Sequence, residues 1–200
     1  MTNPWDQRYG AGGYYYGTEP NDFLREHAGL IARGGKVLCL AEGEGRNAVH
    51  LAGLGHAVTA VDGSAAGLAK LAKLADARGA RVAAVQADLA DFRIEPEFWD
   101  AIVSIWCHVP PPLRRALHAS VANGLKPGGI YLFEAYHPRQ LGFKTGGPPT
   151  ADLMVTAEEL VRELAGLDFE LLSELERDVR EGQGHQGRSA VVQAVARRRR

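Results

Sequence analysis

Residues 37–52 read VLCLAEGEGRNAVHLA. A short apolar run meets two glycines spaced by one residue, and then apolar residues recur at helical spacing. That is a buried strand turning sharply into a helix. It constrains the fold because the same alternation repeats down the chain. Strand-like runs are expected at 36–41, 56–61, 81–87, 99–106 and 130–136. Helical spacing is expected at 46–54, 64–78, 113–125 and 157–164, with Ser64 placed to cap the second of these. The tail changes character. Two strand-like runs, 169–179 and 188–196, are separated by about eight polar and glycine residues, too few for a helix, so they should pair antiparallel. The fold class that follows is α/β, Rossmann-like and doubly wound. Its sheet is mostly parallel, with helices on both faces and an antiparallel last strand.

The chain has 200 residues, of which 46% are hydrophobic, enough for one domain over 1–200 with its own core. A formal net charge of −1 gives the whole molecule no strong attraction to nucleic acid or an anionic membrane. Cys39 and Cys107 stand far apart in apolar contexts, without the spacing of a metal or redox pair. No metal is expected, and a cytoplasmic location is, because no signal core or long apolar run is present. Two segments fall outside the alternation. Residues 1–20 hold Trp5, Tyr9, Tyr14, Tyr15 and Tyr16, a third of the chain's aromatics, and read as a lid that packs on something. Residues 137–152 form a long Gly/Pro-rich loop of the kind that is usually functional.

Open α/β sheets bind ligands at the carboxyl ends of their strands. Here those ends carry Glu42-Gly43-Glu44-Gly45, Asp62, Asp88, Trp106-Cys107-His108 and Tyr136-His137. Gly43, Gly45 and Ala48 fit a dinucleotide fingerprint, so an NAD(P)-dependent oxidoreductase is one reading. Two carboxylates beside the turn oppose it. Like charges about 4 Å apart repel by roughly 4 kcal/mol at a surface-like dielectric, a poor setting for pyrophosphate. A cationic ligand reverses the sign. Asp62 can take two ribose hydroxyls and Asp88 an adenine amine, because a carboxylate offers acceptors. Together these describe S-adenosyl-L-methionine.

At this point VLCLAEGEGRNAVHLA (37–52), AVTAVDGS (57–64), VQADL (85–89), WDAIVSIWCHVP (99–110) and LKPGGIYLFEAY (125–136) carry a resemblance. The chain resembles the class I S-adenosylmethionine-dependent methyltransferases. WDQRYG (5–10), YYYGTEPNDFL (14–24) and GEGRNA (43–48) are similar to the small bacterial tellurite-resistance-type and thiopurine-type enzymes. The resemblance implies a seven-stranded sheet. It implies Gly43 and Gly45 at the methionine part, Asp62 at the ribose, and Asp88 with the Leu89 backbone at the adenine. Ile105 and Trp106 would present backbone to the methionine amine. The family's first motif usually reads V-L-D-L-G-x-G-x-G; here Cys39 and Ala41 depart from it, and Glu42 is expected to cover the missing acid. Those departures keep a second alternative open, a cofactor-binding module without catalysis.

Trp5, Tyr9 and Tyr16 are expected in the lid, with Arg8 or Arg46 reaching the cofactor carboxylate. His108 and His137 are the candidates for a catalytic base, and Tyr16, Tyr136, Arg139 and His185 are expected to face the acceptor. The acceptor class expected is a small molecule: a thiol, a chalcogen oxyanion or an amine. Monomer and homodimer both remain open.

Overall fold

A computed structural model describes residues 3–200. Seven strands form one sheet: β1 (Lys36–Leu40), β2 (Ala57–Asp62), β3 (Val82–Gln86), β4 (Trp99–Ile105), β5 (Leu125–Tyr136), β6 (Leu167–Glu181) and β7 (His185–Arg198). Their order is β3-β2-β1-β4-β5-β7-β6. β1, β2, β3, β4 and β5 pair parallel, and β7 pairs antiparallel with both β5 and β6. The expected α/β architecture with its antiparallel last strand is therefore present. The final hairpin is longer and tighter than expected, since only residues 182–184 separate its strands. Polar residues between the two apolar runs continue the ladder, because one face of the hairpin remains solvated and tolerates alternation.

Among the described residues six α-helices accompany the sheet: α1 (Pro4–Tyr9), α2 (Asp22–His27), α3 (Arg46–Gly53), α4 (Ala65–Ala77), α5 (Pro111–Gly124) and α6 (Ala157–Glu163). Ser64 caps α4 by accepting from the Gly67 N–H, and Thr156 and Glu159 form a reciprocal capping box on α6. Alternate strand residues feed two cores. Leu38, Leu40, Ile102, Tyr131 and Phe133 meet Leu117 and Val121 of α5 and Leu160 of α6. Val37, Cys39, Val103, Ile105 and Leu132 meet Phe23 of α2, Leu51 of α3 and Leu71 of α4 on the opposite face. The period of two along each strand thus builds a three-layer sandwich. It leaves the carboxyl ends of β1, β2, β4 and β5 at one rim.

Candidate functional site

The turn from β1 into α3 runs through three left-handed residues: Ala41 (φ 51°), Gly43 (φ 60°) and Gly45 (φ 92°). Ala41 takes this conformation despite its Cβ, where the family's usual glycine would be unstrained. At Gly45 a Cβ would sit 2.4 Å from Leu71 Cγ and 2.9 Å from Leu71 Cα, so only glycine lets α4 close on the turn.

The two glutamates of this turn do different work from that expected. Glu42 Oε1 accepts from the Ala48 N–H at 2.7 Å and so caps the exposed amides of α3. Burial pushes its carboxyl up to about 7, although the Ala48 and Asn47 amides and the Arg46 charge favour the ionised form. Glu44 is turned the other way. Its Oε2 accepts from the Tyr15 and Tyr16 N–H groups at 2.8 and 3.3 Å, and its Oε1 lies 2.8 Å from Lys70 Nζ. The picture of two free rim carboxylates awaiting a cation is corrected. A helix end claims one and the N-terminal segment claims the other.

Asp62, at the end of β2, is buried. Its Oδ2 accepts from the Gly43 N–H at 2.8 Å and its Oδ1 from the Ser64 N–H at 2.7 Å. Burial raises its pKa, and those two amide bonds oppose the rise. One side chain thus ties the β1–α3 turn to the start of α4, while lone pairs remain for a ligand. Asp88 lies exposed just beyond β3, with Oδ1 accepting from the Ala90 N–H at 2.9 Å. Leu89 packs partly against the core, and Ile105 is buried at the end of β4.

The N-terminal segment lies across this rim. Asp6 Oδ1 accepts from the Ser64 hydroxyl at 2.5 Å and from the Ala66 N–H at 3.2 Å, which docks α1 on the start of α4. Tyr9 is 6% exposed and roofs the glycine turn; a Cβ on Gly43 would come within 2.7 Å of its hydroxyl. Trp5 and Arg8 were expected at the cofactor but stand one layer out. Trp5 is exposed and stacks on Tyr9 with centroids 5.8 Å apart. Arg8 lies over the Trp5 and Tyr15 rings and donates to the Tyr16 hydroxyl at 2.8 Å. A helix shows the rim only one face, and Tyr9 occupies it.

Beyond the turn, β4 and β5 end in a box of rings. Trp106 has φ 58°, held by its N–H donating to the Glu134 carbonyl at 2.8 Å and its indole N–H donating to Glu181 Oε2 at 2.6 Å. Its ring packs on Tyr136 (4.4 Å) and His185 (4.8 Å), and Tyr16 closes on His185 at 4.6 Å. His108 stacks on Tyr136 at 5.5 Å. Glu181 also takes Arg46 Nη2 at 2.5 Å and Asn21 Nδ2 at 2.8 Å. Glu134, fully buried, binds Arg177 Nε and Nη2, both at 2.8 Å. Arg46 Nη1, His108 Nε2, the Tyr136 hydroxyl and His185 Nδ1 are buried without a hydrogen-bond partner. Burial lowers His108 to about 4 and also lowers His185 despite the nearby Glu181 charge.

The structure brings together Tyr16, Arg46, Trp106, His108, Tyr136 and His185. It does not bring in His137 or Arg139. The Tyr136 ring and His137 point to opposite faces of the strand. His137 Nδ1 accepts from the Arg139 N–H at 3.0 Å, and its Nε2 faces Glu174 at 3.3 Å. Arg139 is exposed and lies 3.5 Å from the same Glu174 oxygen. Sequence reasoning missed Asn21, Glu134, Arg177 and Glu181. Glu134 alone carried a signal, a single acid inside the apolar strand IYLFEAY.

Residues 37–129 match the family described as methyltransferase domain. That match covers just under half of the chain, and what the chain shares with the solved structures below is their fold. A search of curated proteins by sequence found no match. Among solved structures, the chain is similar to a protein from work on the conversion of a disulfide bond into a thioacetal group during echinomycin biosynthesis. The two share 23% identity with TM-score 0.80, over 100% of this chain and 92% of that one. It is also similar to TehB from Haemophilus influenzae, at 18% identity and TM-score 0.73, over 98% of this chain and 66% of that one. An S-adenosylmethionine-dependent methyltransferase from Mesorhizobium loti aligns at 16% identity and TM-score 0.65, over 89% of this chain and 99% of that one. S-adenosyl-L-methionine is the cofactor that the sequence resemblance implies. The residues fit it: a glycine cradle under Tyr9, a buried carboxylate with spare lone pairs at Asp62, and an unpartnered buried guanidinium N–H at Arg46.

Proposed function

We propose that this chain, working as one unit from the aromatic lid to the hairpin, transfers the methyl group of S-adenosyl-L-methionine to a compact small-molecule nucleophile. The observation that carries the proposal is the 2.8 Å bond between Asp62 and the Gly43 N–H. It sets a buried carboxylate and a glycine-bared backbone side by side at the carboxyl ends of β2 and β1, next to the switch point between β1 and β4 where an α/β fold receives its ligand.

In this reading Asp62 holds the ribose hydroxyls, and Asp88 with the Leu89 backbone meets the adenine. Gly43 and Gly45 admit the methionine part. The backbone at Ile105 and Trp106 faces its ammonium, and Arg46 Nη1 takes its carboxylate. The cofactor supplies a methyl group already activated on a sulfonium, so the chain's own task is alignment and exclusion of water. The lid serves both. Asp6 fastens it to Ser64, Glu44 fastens it to the turn, and the Tyr15 carbonyl accepts from the Gln183 N–H at the hairpin tip at 2.7 Å. A site lined by rings packed this closely suits a small acceptor rather than a polymer.

The test is a calorimetric titration with S-adenosylhomocysteine, followed by a radiolabelled methyl-transfer screen over small thiols, alcohols, amines and oxyanions. Binding with transfer to one of them is expected. Binding with no transfer to any would contradict the enzymatic reading.

A further inference from the structure

Four charges stand around the ring box: buried Arg46 and half-buried Arg177 against buried Glu134 and Glu181. Each cation is already paired, Arg46 to Glu181 at 2.5 Å and Arg177 to Glu134 at 2.8 Å. Glu42, at the near edge, adds negative rather than positive character as it ionises. Arg8 lies on the outer side of the lid, over Trp5 and Tyr15. The box therefore holds no surplus positive charge. An anionic acceptor would lose its hydration, meet two buried carboxylates, and find only the Arg46 Nη1 N–H unpaired, which the cofactor carboxylate takes in the reading above.

What the box does offer is a bare nitrogen. His108 Nδ1 lies 3.1 Å from the Leu153 carbonyl. A carbonyl only accepts, so Nδ1 carries the proton and, in the neutral ring, Nε2 is a lone pair. That lone pair is buried and has no donor. It sits on a ring stacked against Tyr136, whose hydroxyl is also buried and unpartnered. Leaving such groups unpaired is costly, so a ligand presenting an X–H bond gains by pairing with them.

We propose that the acceptor of this methyltransferase enters the Trp106–Tyr136–His185 box as a neutral thiol or hydroxyl compound, and that His108 Nε2 receives its proton. This rests on the methyltransferase reading above. The step balances as follows: a lone pair on X forms the X–C bond, the C–S bond breaks with its electrons remaining on sulfur, and the X–H proton passes to Nε2. One positive charge is present before and after, on sulfonium and then on imidazolium, so the total charge of the complex does not change. A thiol or hydroxyl that has gained a methyl is a very strong acid until it loses its proton. Even an imidazole made weakly basic by burial accepts from it. A methylated amine is a far weaker acid and would keep its proton, which leaves His108 Nε2 without a role and makes an amine the poorer fit.

The experiment uses the full chain saturated with S-adenosylhomocysteine and measures binding of benzyl mercaptan, benzyl alcohol and tellurite by calorimetry, with methyl transfer to each measured separately. The expected result is that benzyl mercaptan or benzyl alcohol binds the complex and is methylated, while tellurite does neither. In His108→Ala, S-adenosylhomocysteine should bind as in the wild type, while binding of the neutral probe weakens and transfer falls at least tenfold. His108→Gln, which keeps an acceptor but is not basic, should restore probe binding more than transfer. Transfer to tellurite, transfer to neither neutral probe, or an unchanged His108→Ala variant would overturn the proposal. Failure to bind S-adenosylhomocysteine at all would instead remove the methyltransferase reading beneath it.

Discussion

Arg46 and Glu181, 135 residues apart in sequence, meet at 2.5 Å where both are almost wholly buried. The pair joins the first residue of α3 to the last residue of β6. Burial works against the Glu181 charge, yet His185 and Arg46 hold its pKa far below the usual carboxylate range. Glu181→Ala leaves Arg46 as an uncompensated buried cation, a change that typically costs about 3–5 kcal/mol. Urea denaturation should show a loss of that size. The near-ultraviolet signal of Trp106 should change too, since its indole N–H loses its acceptor. A loss below about 1 kcal/mol would mean that the pair is not what joins these elements.

Asp62→Ala should weaken S-adenosylhomocysteine binding more than tenfold. Two charge-assisted hydrogen bonds to the nucleoside are each worth about 1.5–3 kcal/mol, and the Gly43 amide loses its anchor as well. Calorimetry on a variant whose circular dichroism matches the wild type would check this. An unchanged dissociation constant would remove Asp62 from the site.

Glu42 gives a pH dependence of unusual sign. Its carboxyl titrates near 4.5 when free and is pushed up to about 7 in the fold by burial. Between those values the folded state binds more protons than the unfolded one. Its contribution to stability is therefore full below about pH 4.5, falls as pH rises through the window, and levels off above about 7. Glu42→Gln should flatten that slope. Denaturation at pH 5, 6, 7 and 8 should show the variant gaining on the wild type as pH rises. A constant difference would contradict the assignment.

Glu163 has the opposite sign. Burial disfavours its charge, but hydrogen bonds from His118 and Arg114 outweigh this and hold it at about 2. The stability it contributes is present above about 4.5 and is lost as pH falls toward 2. Arg114 and His118 lie on α5 and Glu163 ends α6, so Glu163→Gln should loosen the two helices by roughly 3 kcal/mol at pH 7 and shrink the difference at pH 3. Thermal denaturation at both pH values would show it.

The sheet was legible because its information is local. Each strand announces itself by apolar period, and Ser64 and Gly79 bracket α4 where their chemistry says they should. Asp62 was legible for a related reason, since its place at the end of β2 follows from the strand alone. What failed depended on partners from distant segments. Glu42 and Glu44 look alike in sequence, but amides of α3 claim one and amides of the lid claim the other. Glu181 could not be singled out, because its partners Asn21, Arg46 and Trp106 come from three separate parts of the chain. His137 could have been set aside from sequence: adjacent strand residues face opposite ways, so Tyr136 and His137 do not share a site.

In the proposed reading the turn at 42–45, with Asp62 beneath it, receives S-adenosyl-L-methionine rather than a dinucleotide. Calorimetric titration of the wild-type chain with S-adenosylhomocysteine and, separately, with NADH tests it most directly. One-to-one binding of the nucleoside, abolished or strongly weakened in Asp62→Ala, with no heat from NADH, is the predicted result. Saturable binding of NADH, or no binding of S-adenosylhomocysteine, would contradict it.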